Sequence, residues 1–193
     1  CCVILTRRPP IFINAERLDD LLLYATLGVV LGGRLGYVLF YKPAFFAANP
    51  LEILMVWHGG MSFHGGFLGV VVAGFLFARR QGVPALLLAD LLATAAPIGL
   101  FFGRIANFIN GELFGRISDA PWAMVFPHGG PLARHPSQLY EAGLEGLALF
   151  AIVCAAALAS RARYHPGLIA GLFLIGYGCA RSAAELFREP DAH

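Results

Sequence analysis

The chain has 193 residues, 58% hydrophobic and 13% charged, with a mean hydropathy of +0.69. A soluble domain is closer to a quarter charged, so this composition excludes an ordinary water-soluble protein and indicates a membrane protein. The formal charge of +2 offers no electrostatic case for nucleic acid, and the four cysteines have neither CxxC nor metal-ligand spacing.

The opening CCVILTRRPP reads as the inner end of a helix that begins earlier, and REPDAH closes without a following span. The sequence is therefore expected to be a fragment of a longer chain. Five apolar segments follow in order, at 21–41, 62–78, 85–102, 139–159 and 168–187. Each approaches the ~20 residues that cross a hydrocarbon core. Only helices and closed barrels satisfy their backbone in lipid, so an all-α polytopic transmembrane bundle is predicted. The shorter run at 51–57 is expected to lie at the interface.

If the spans alternate, Arg7, Arg8, Arg17, Arg79, Arg80, Arg161 and Arg163 share one side, and Lys42, Arg116, Arg134 and Arg188 the other. The richer side is predicted to be cytoplasmic, which puts the connection 110–138 outside. Small residues recur four apart at Gly28, Gly32 and Gly36, at Gly65 and Gly69, at Gly99 and Gly103, and at Gly167 and Gly171. Such spacing lets helices approach closely in lipid. A single compact transmembrane helical domain over 1–193 is expected.

Charged residues inside these spans need explaining, because each costs about 2.5–3.5 kcal/mol at the bilayer centre. Arg34 and Asp90 are expected to pair structurally. Tyr177, Arg181, Glu185 and Arg188, four, four and three apart, fall within a stripe about 80° wide on one helix. They form either a polar wall or a helical Glu185–Arg188 pair beside a snorkelling Arg181. In GMSFHGG, His64 stands beside Gly65 and Gly66 with little bulk to shield it, and imidazole titrates nearest neutrality.

In GRIANFINGELFG, Arg104, Asn107 and Gly111 share a helix face, and Gly111 and Gly115 are placed to end the helix in a tight turn. An Arg fork suits phosphate. RHPSQLYE reads as a helix start at Pro136, with His135 or Ser137 as the cap. An outer half rich in arginine leaves two classes: an enzyme acting on an anionic lipid headgroup, or a transporter or channel for an anion.

These motifs resemble the bacterial prolipoprotein diacylglyceryl transferases. The family signature G-R-x-G-N-F-I-N-G-E-x-x-G is met over Gly103–Gly115 except at Ala106, where the family has glycine. GGRLGYVLFY, GGMSFHGG, RHPSQLYE and GLFLIGYGCARSAAELFREPDA extend the likeness in order along nearly the whole chain. The resemblance implies seven spans, of which five are visible here, and a multi-pass protein of the bacterial inner membrane with its site toward the outer leaflet. It implies transfer of a diacylglyceryl group from phosphatidylglycerol to the lipobox cysteine thiol of a prolipoprotein signal peptide, with no metal or organic cofactor.

Matched residue by residue, it implies His64, Arg104 and Arg181 as catalytic residues. Arg104, Asn107, Asn110, Glu112, Gly115 and Tyr177 are expected to form the substrate site. Asp90, Glu185 and Arg188 are expected to brace it.

Overall fold

The computed structural model describes residues 15–159 and 161–189. The opening stretch with Cys1, Cys2, Arg7 and Arg8, and the chain from Pro190 onward, lie outside the described residues. Among the described residues six α-helices run in order, the fifth with a π-helical stretch inside it: α1 (Ala15–Phe40), α2 (Pro43–Ala48), α3 (Phe63–Gln81), α4 (Ala85–Asn110), α5 (Ser137–Ala159) and α6 (Leu168–Glu185). The predicted interfacial run forms two 3₁₀ turns, Pro50–Leu54 and Val56–His58. There is no strand among the described residues, only isolated bridges within the connection after α4 and from it to Arg188.

Among the described residues, four helices are long and apolar enough to cross a membrane: Arg17–Phe40, Ala85–Asn110, Ser137–Ala159 and Leu168–Glu185. The fifth expected span forms as the 19-residue α3, with His64 near one end and Arg79 and Arg80 at the other. Those end residues make it more polar than the four. Large apolar side chains point outward along the helices, with Leu39, Phe67 and Ile175 each more than 60% exposed. That surface suits hydrocarbon, and the fold is that of a multi-pass membrane protein.

The described residues form two compact units, 15–88 and 89–189. In the first, α1 packs along α3 through the glycine ladder. A Cβ at Gly28 would stand 2.6 Å from the Gly69 carbonyl oxygen, and one at Gly36 2.8 Å from the Gly65 Cα. Backbone thus meets backbone, and any larger residue would separate the helices. The other repeats behave differently. A Cβ at Gly99, Gly103 or Gly171 would meet nothing within 4 Å, so the close approach expected there is not seen. Gly167 instead adopts a left-handed conformation at the start of α6.

In the second unit, Asp90 on α4 is 97% buried (3% exposed) and accepts the Gly167 and Ala170 amides at 2.8 and 2.7 Å. It thereby satisfies the exposed amides of the first turn of α6. The expected Arg34–Asp90 pair gives way to this cap, and Arg34 is taken up by backbone carbonyls of its own unit. Asp90 finds two oriented amides, which stabilise a buried carboxylate without a counter-ion. α5 is α-helical at both ends and π-helical over Ala142–Ala148. Pro136 is its N-cap residue without a side-chain cap, and the Ser137 hydroxyl donates to the Leu113 carbonyl at 3.2 Å. Neither His135 nor Ser137 is the cap predicted there.

Candidate active site

The polar centre of the second unit is built around two glutamates on α5. Glu141 and Glu145 are 1% and 0% exposed. Arg104, from α4, reaches both. Its Nη1 lies 2.7 Å from Glu141 Oε2, while Nε and Nη2 donate to Glu145 Oε2 at 3.2 and 3.1 Å. Arg181, from α6, places Nη1 3.5 Å from Glu141 Oε1 and Nη2 3.1 Å from Glu185 on the next turn. Arg188, just beyond α6 and 6% exposed, lies 3.9 Å from Glu141 through Nε. The helical Glu185–Arg188 alternative is corrected: Glu185 pairs with Arg181, and Arg188 turns to the buried Glu141.

Three guanidinium groups thus surround two buried carboxylates. Charge this deep in a lipid-facing helix is tolerated only where it is paired. The π turn begins directly after Glu141 and contains Glu145. Such turns inside α-helices recur at functional sites.

The connection after α4 makes a second polar group. α4 ends with Gly111 at φ 66°, while the Gly111 and Glu112 amides bond the Phe108 and Asn107 carbonyls at 3.1 Å each. This left-handed ending satisfies the last carbonyls of the helix. It folds Glu112 back so that Asn107 and Asn110 donate side-chain amides to its Oε1 at 2.9 and 3.3 Å. Those two hydrogen bonds, the Asn107 one foremost, hold the Glu112 carboxyl below its ordinary value. Gln138, fully buried on α5, donates to the Glu112 carbonyl at 2.7 Å.

Gly115 is buried where the connection meets the chain after α6. A Cβ there would stand 2.5 Å from the Phe187 carbonyl oxygen and 2.8 Å from His135. The Gly115 amide bonds the His135 carbonyl at 2.9 Å, and the Arg116 amide bonds Phe187 at 3.0 Å. These contacts tie the signature turn to the segment carrying Arg188.

The structure therefore brings Arg104, Arg181, Glu185 and Arg188 together, and gathers Asn107, Asn110 and Glu112 in the turn that ends α4. Tyr177 stands one turn before Arg181, its ring stacked on Phe173 with centroids 6.0 Å apart. His64 belongs to the other unit, on the first turn of α3. It is exposed, its ring edge-on to that of Phe63 with centroids 5.7 Å apart.

Glu141 and Glu145 were not singled out from the sequence. A signal was available: LYEAGLEG puts two acids four residues apart inside an apolar span, where an unpaired acid is costly.

A profile of the prolipoprotein diacylglyceryl transferase family matches residues 3–193. Three curated relatives are named phosphatidylglycerol–prolipoprotein diacylglyceryl transferase. The Rhodospirillum rubrum protein is 63% identical over 186 residues, 96% of this chain and 68% of its own length. The Paramagnetospirillum magneticum protein is 60% identical over 190 residues, 98% of this chain and 71% of its own. The Agrobacterium fabrum protein is 58% identical over 180 residues, 93% of this chain and 64% of its own. The chain thus spans about two thirds of each relative. None of the three is named as a transporter or channel, and that alternative is without support.

Proposed function

The chain belongs to the prolipoprotein diacylglyceryl transferase family, and on that premise we propose how its own residues carry the transfer. It is a transferase of lipoprotein maturation. Its substrates are phosphatidylglycerol and a prolipoprotein, and the acceptor is the lipobox cysteine thiol of the signal peptide. The reaction takes place in the bacterial inner membrane, with the site toward the outer leaflet.

The sulfur attacks the glyceryl carbon next to the phosphate. A carbon–sulfur bond forms, the carbon–oxygen bond breaks, and glycerol phosphate leaves with the bonding electrons. A free thiol is only a few per cent thiolate at neutral pH, so His64 takes its proton. Arg104 and Arg181 bind the phosphate.

The observation that carries this reading is that Arg104, Arg181 and Arg188 converge on the buried Glu141 and Glu145. Two carboxylates hold three arginines, whose guanidinium forks suit the negative charge of a phosphodiester. On cleavage the departing phosphate gains further charge, so fixed guanidinium groups stabilise the transition state more than the ground state. Because Glu141 and Glu145 anchor the arginines beforehand, little reorganisation is needed when the charge develops. Arg181 is 30% exposed through its side chain, and its contact with the exposed Glu185 is of the weak surface kind. That contact can yield to a phosphate. Asn107, Asn110 and Glu112 shape the headgroup site, and Tyr177 borders it.

The full-length protein in detergent, given phosphatidylglycerol and a synthetic lipobox peptide, is expected to raise the intact mass of the peptide by one diacylglyceryl unit. Arg104→Lys should lose most of the rate, because lysine lacks the planar fork. Unchanged turnover in that variant would refute the phosphate role.

A further inference from the structure

The connection between α1 and α3 is wound around one buried side chain. Arg34 is 4% exposed, and no carboxylate among the described residues forms an ion pair with it. Its five N–H groups meet five backbone carbonyls instead. Nε donates to Ile53 at 3.0 Å, Nη1 to Gly59 and Gly60 at 2.5 and 3.2 Å, and Nη2 to Glu52 and Met55 at 2.5 and 3.1 Å. Phe46 closes the guanidinium face at 5.1 Å from the ring centroid.

A guanidinium has five donors in a fixed fork and no acceptor, so this ring of carbonyls saturates it. Gly59 and Gly60 adopt φ of 78° and 81°, a region that L side chains rarely enter, and their carbonyls both face Arg34.

The clamp lies directly before His64. Gly33, next to Arg34 on α1, accepts the Ser62 amide at 2.9 Å, and the Ser62 hydroxyl accepts the Gly65 amide at 3.2 Å to cap α3. His64 has no hydrogen-bond partner among the described residues. Its imidazole is therefore placed by the backbone that carries it rather than by a partner of its own.

We propose that Arg34 is a positioning residue for His64, fixing through residues 52–60 the turn that presents the imidazole for proton transfer. This rests on the reading of His64 as the group that takes the thiol proton. Lysine at position 34 has three donors for five carbonyls, so Arg34→Lys releases part of the turn while keeping the charge. Gly59→Ala attacks the same clamp from the carbonyl side and keeps the guanidinium. A Cβ there would meet nothing within 4 Å, so that variant perturbs only the backbone.

The test uses the full-length protein and measures transfer rates against phosphatidylglycerol concentration, together with amide hydrogen exchange over residues 52–65. For Arg34→Lys, kcat is expected to fall about 10- to 100-fold with little change in KM, with faster exchange confined to that segment. Gly59→Ala should show the same pattern in milder form. His64→Gln should be severely impaired, and the Arg34→Lys/His64→Gln double variant no slower than His64→Gln alone.

Wild-type kcat or unchanged exchange in Arg34→Lys, beside an impaired His64→Gln, would overturn the role of Arg34 and leave that of His64 standing. A double variant slowed by the full factor of Arg34→Lys would also overturn it, because Arg34 would then act independently of His64. Wild-type turnover in His64→Gln would remove the His64 reading and this inference together. If Arg34→Lys does not fold, Gly59→Ala decides by the same readouts.

Discussion

Replacing Glu145 by glutamine tests whether the buried acids hold the arginines in place. The substitution keeps shape and removes one charge. Arg104 loses a carboxylate oxygen that accepts both Nε and Nη2, at 3.2 and 3.1 Å, and keeps Glu141 at 2.7 Å. A hydrogen bond to a charged group contributes about 1.5–3 kcal/mol and a neutral one about 0.5–1.5, so two weakened bonds come to about 2–3 kcal/mol. This falls below the 3–5 kcal/mol typical for breaking a buried pair outright, because Glu141 continues to compensate Arg104. Thermal unfolding in detergent would read the stability loss, and transfer to a lipobox peptide the activity.

Both should fall, kcat by about 10- to 100-fold, as expected for a phosphate ligand displaced by around an ångström. A Glu145→Gln protein with unchanged unfolding would show that the pair does not anchor Arg104. Wild-type stability with faster turnover would refute the reasoning more sharply, since the acid would then be competing with substrate for the arginine.

Four further outcomes follow from named positions. Gly69→Ala puts a methyl against the Gly28 carbonyl and should destabilise by about 1–3 kcal/mol, read by denaturant unfolding. Gly74→Ala on the same helix meets nothing within 4 Å and should be neutral or stabilising by up to about 1 kcal/mol. Gly115→Ala should cost about 2–4 kcal/mol through its clash with Phe187 and His135, and transfer should fall as the turn shifts away from the Arg188 segment. Because the Glu112 carboxyl is held below its ordinary value of 4.5 in the folded chain, its contribution is present above that value and lost as pH falls through the lowered one. Unfolding scanned downward from neutral pH should show that loss, and Glu112→Gln should remove this component of the pH dependence.

Much of the architecture was legible in the sequence because lipid permits few solutions. Apolar runs of spanning length must be helices, and the glycine repeats predicted close helix approach, which α1 and α3 make at positions 28, 32, 36, 65 and 69. The polar turn after α4 was legible for a similar reason, since Asn107, Asn110, Glu112 and two glycines have no simple place within a span. Spacing could not tell which glycine repeats find a partner. The pattern at Gly99 and Gly103 looks the same as that at Gly65 and Gly69 but faces open space.

The sequence by itself determined the helices, the orientation signals and the identity of the arginines that need partners. The partners were decided only by the tertiary structure. Arg104 meets Glu145 across 41 residues, a separation at which no periodicity links two side chains. Arg34 is satisfied by main-chain carbonyls, which every residue carries and no sequence marks. Composition shows that a buried charge must be compensated, but the group that compensates it is set by which backbones the packing of small residues allows to meet.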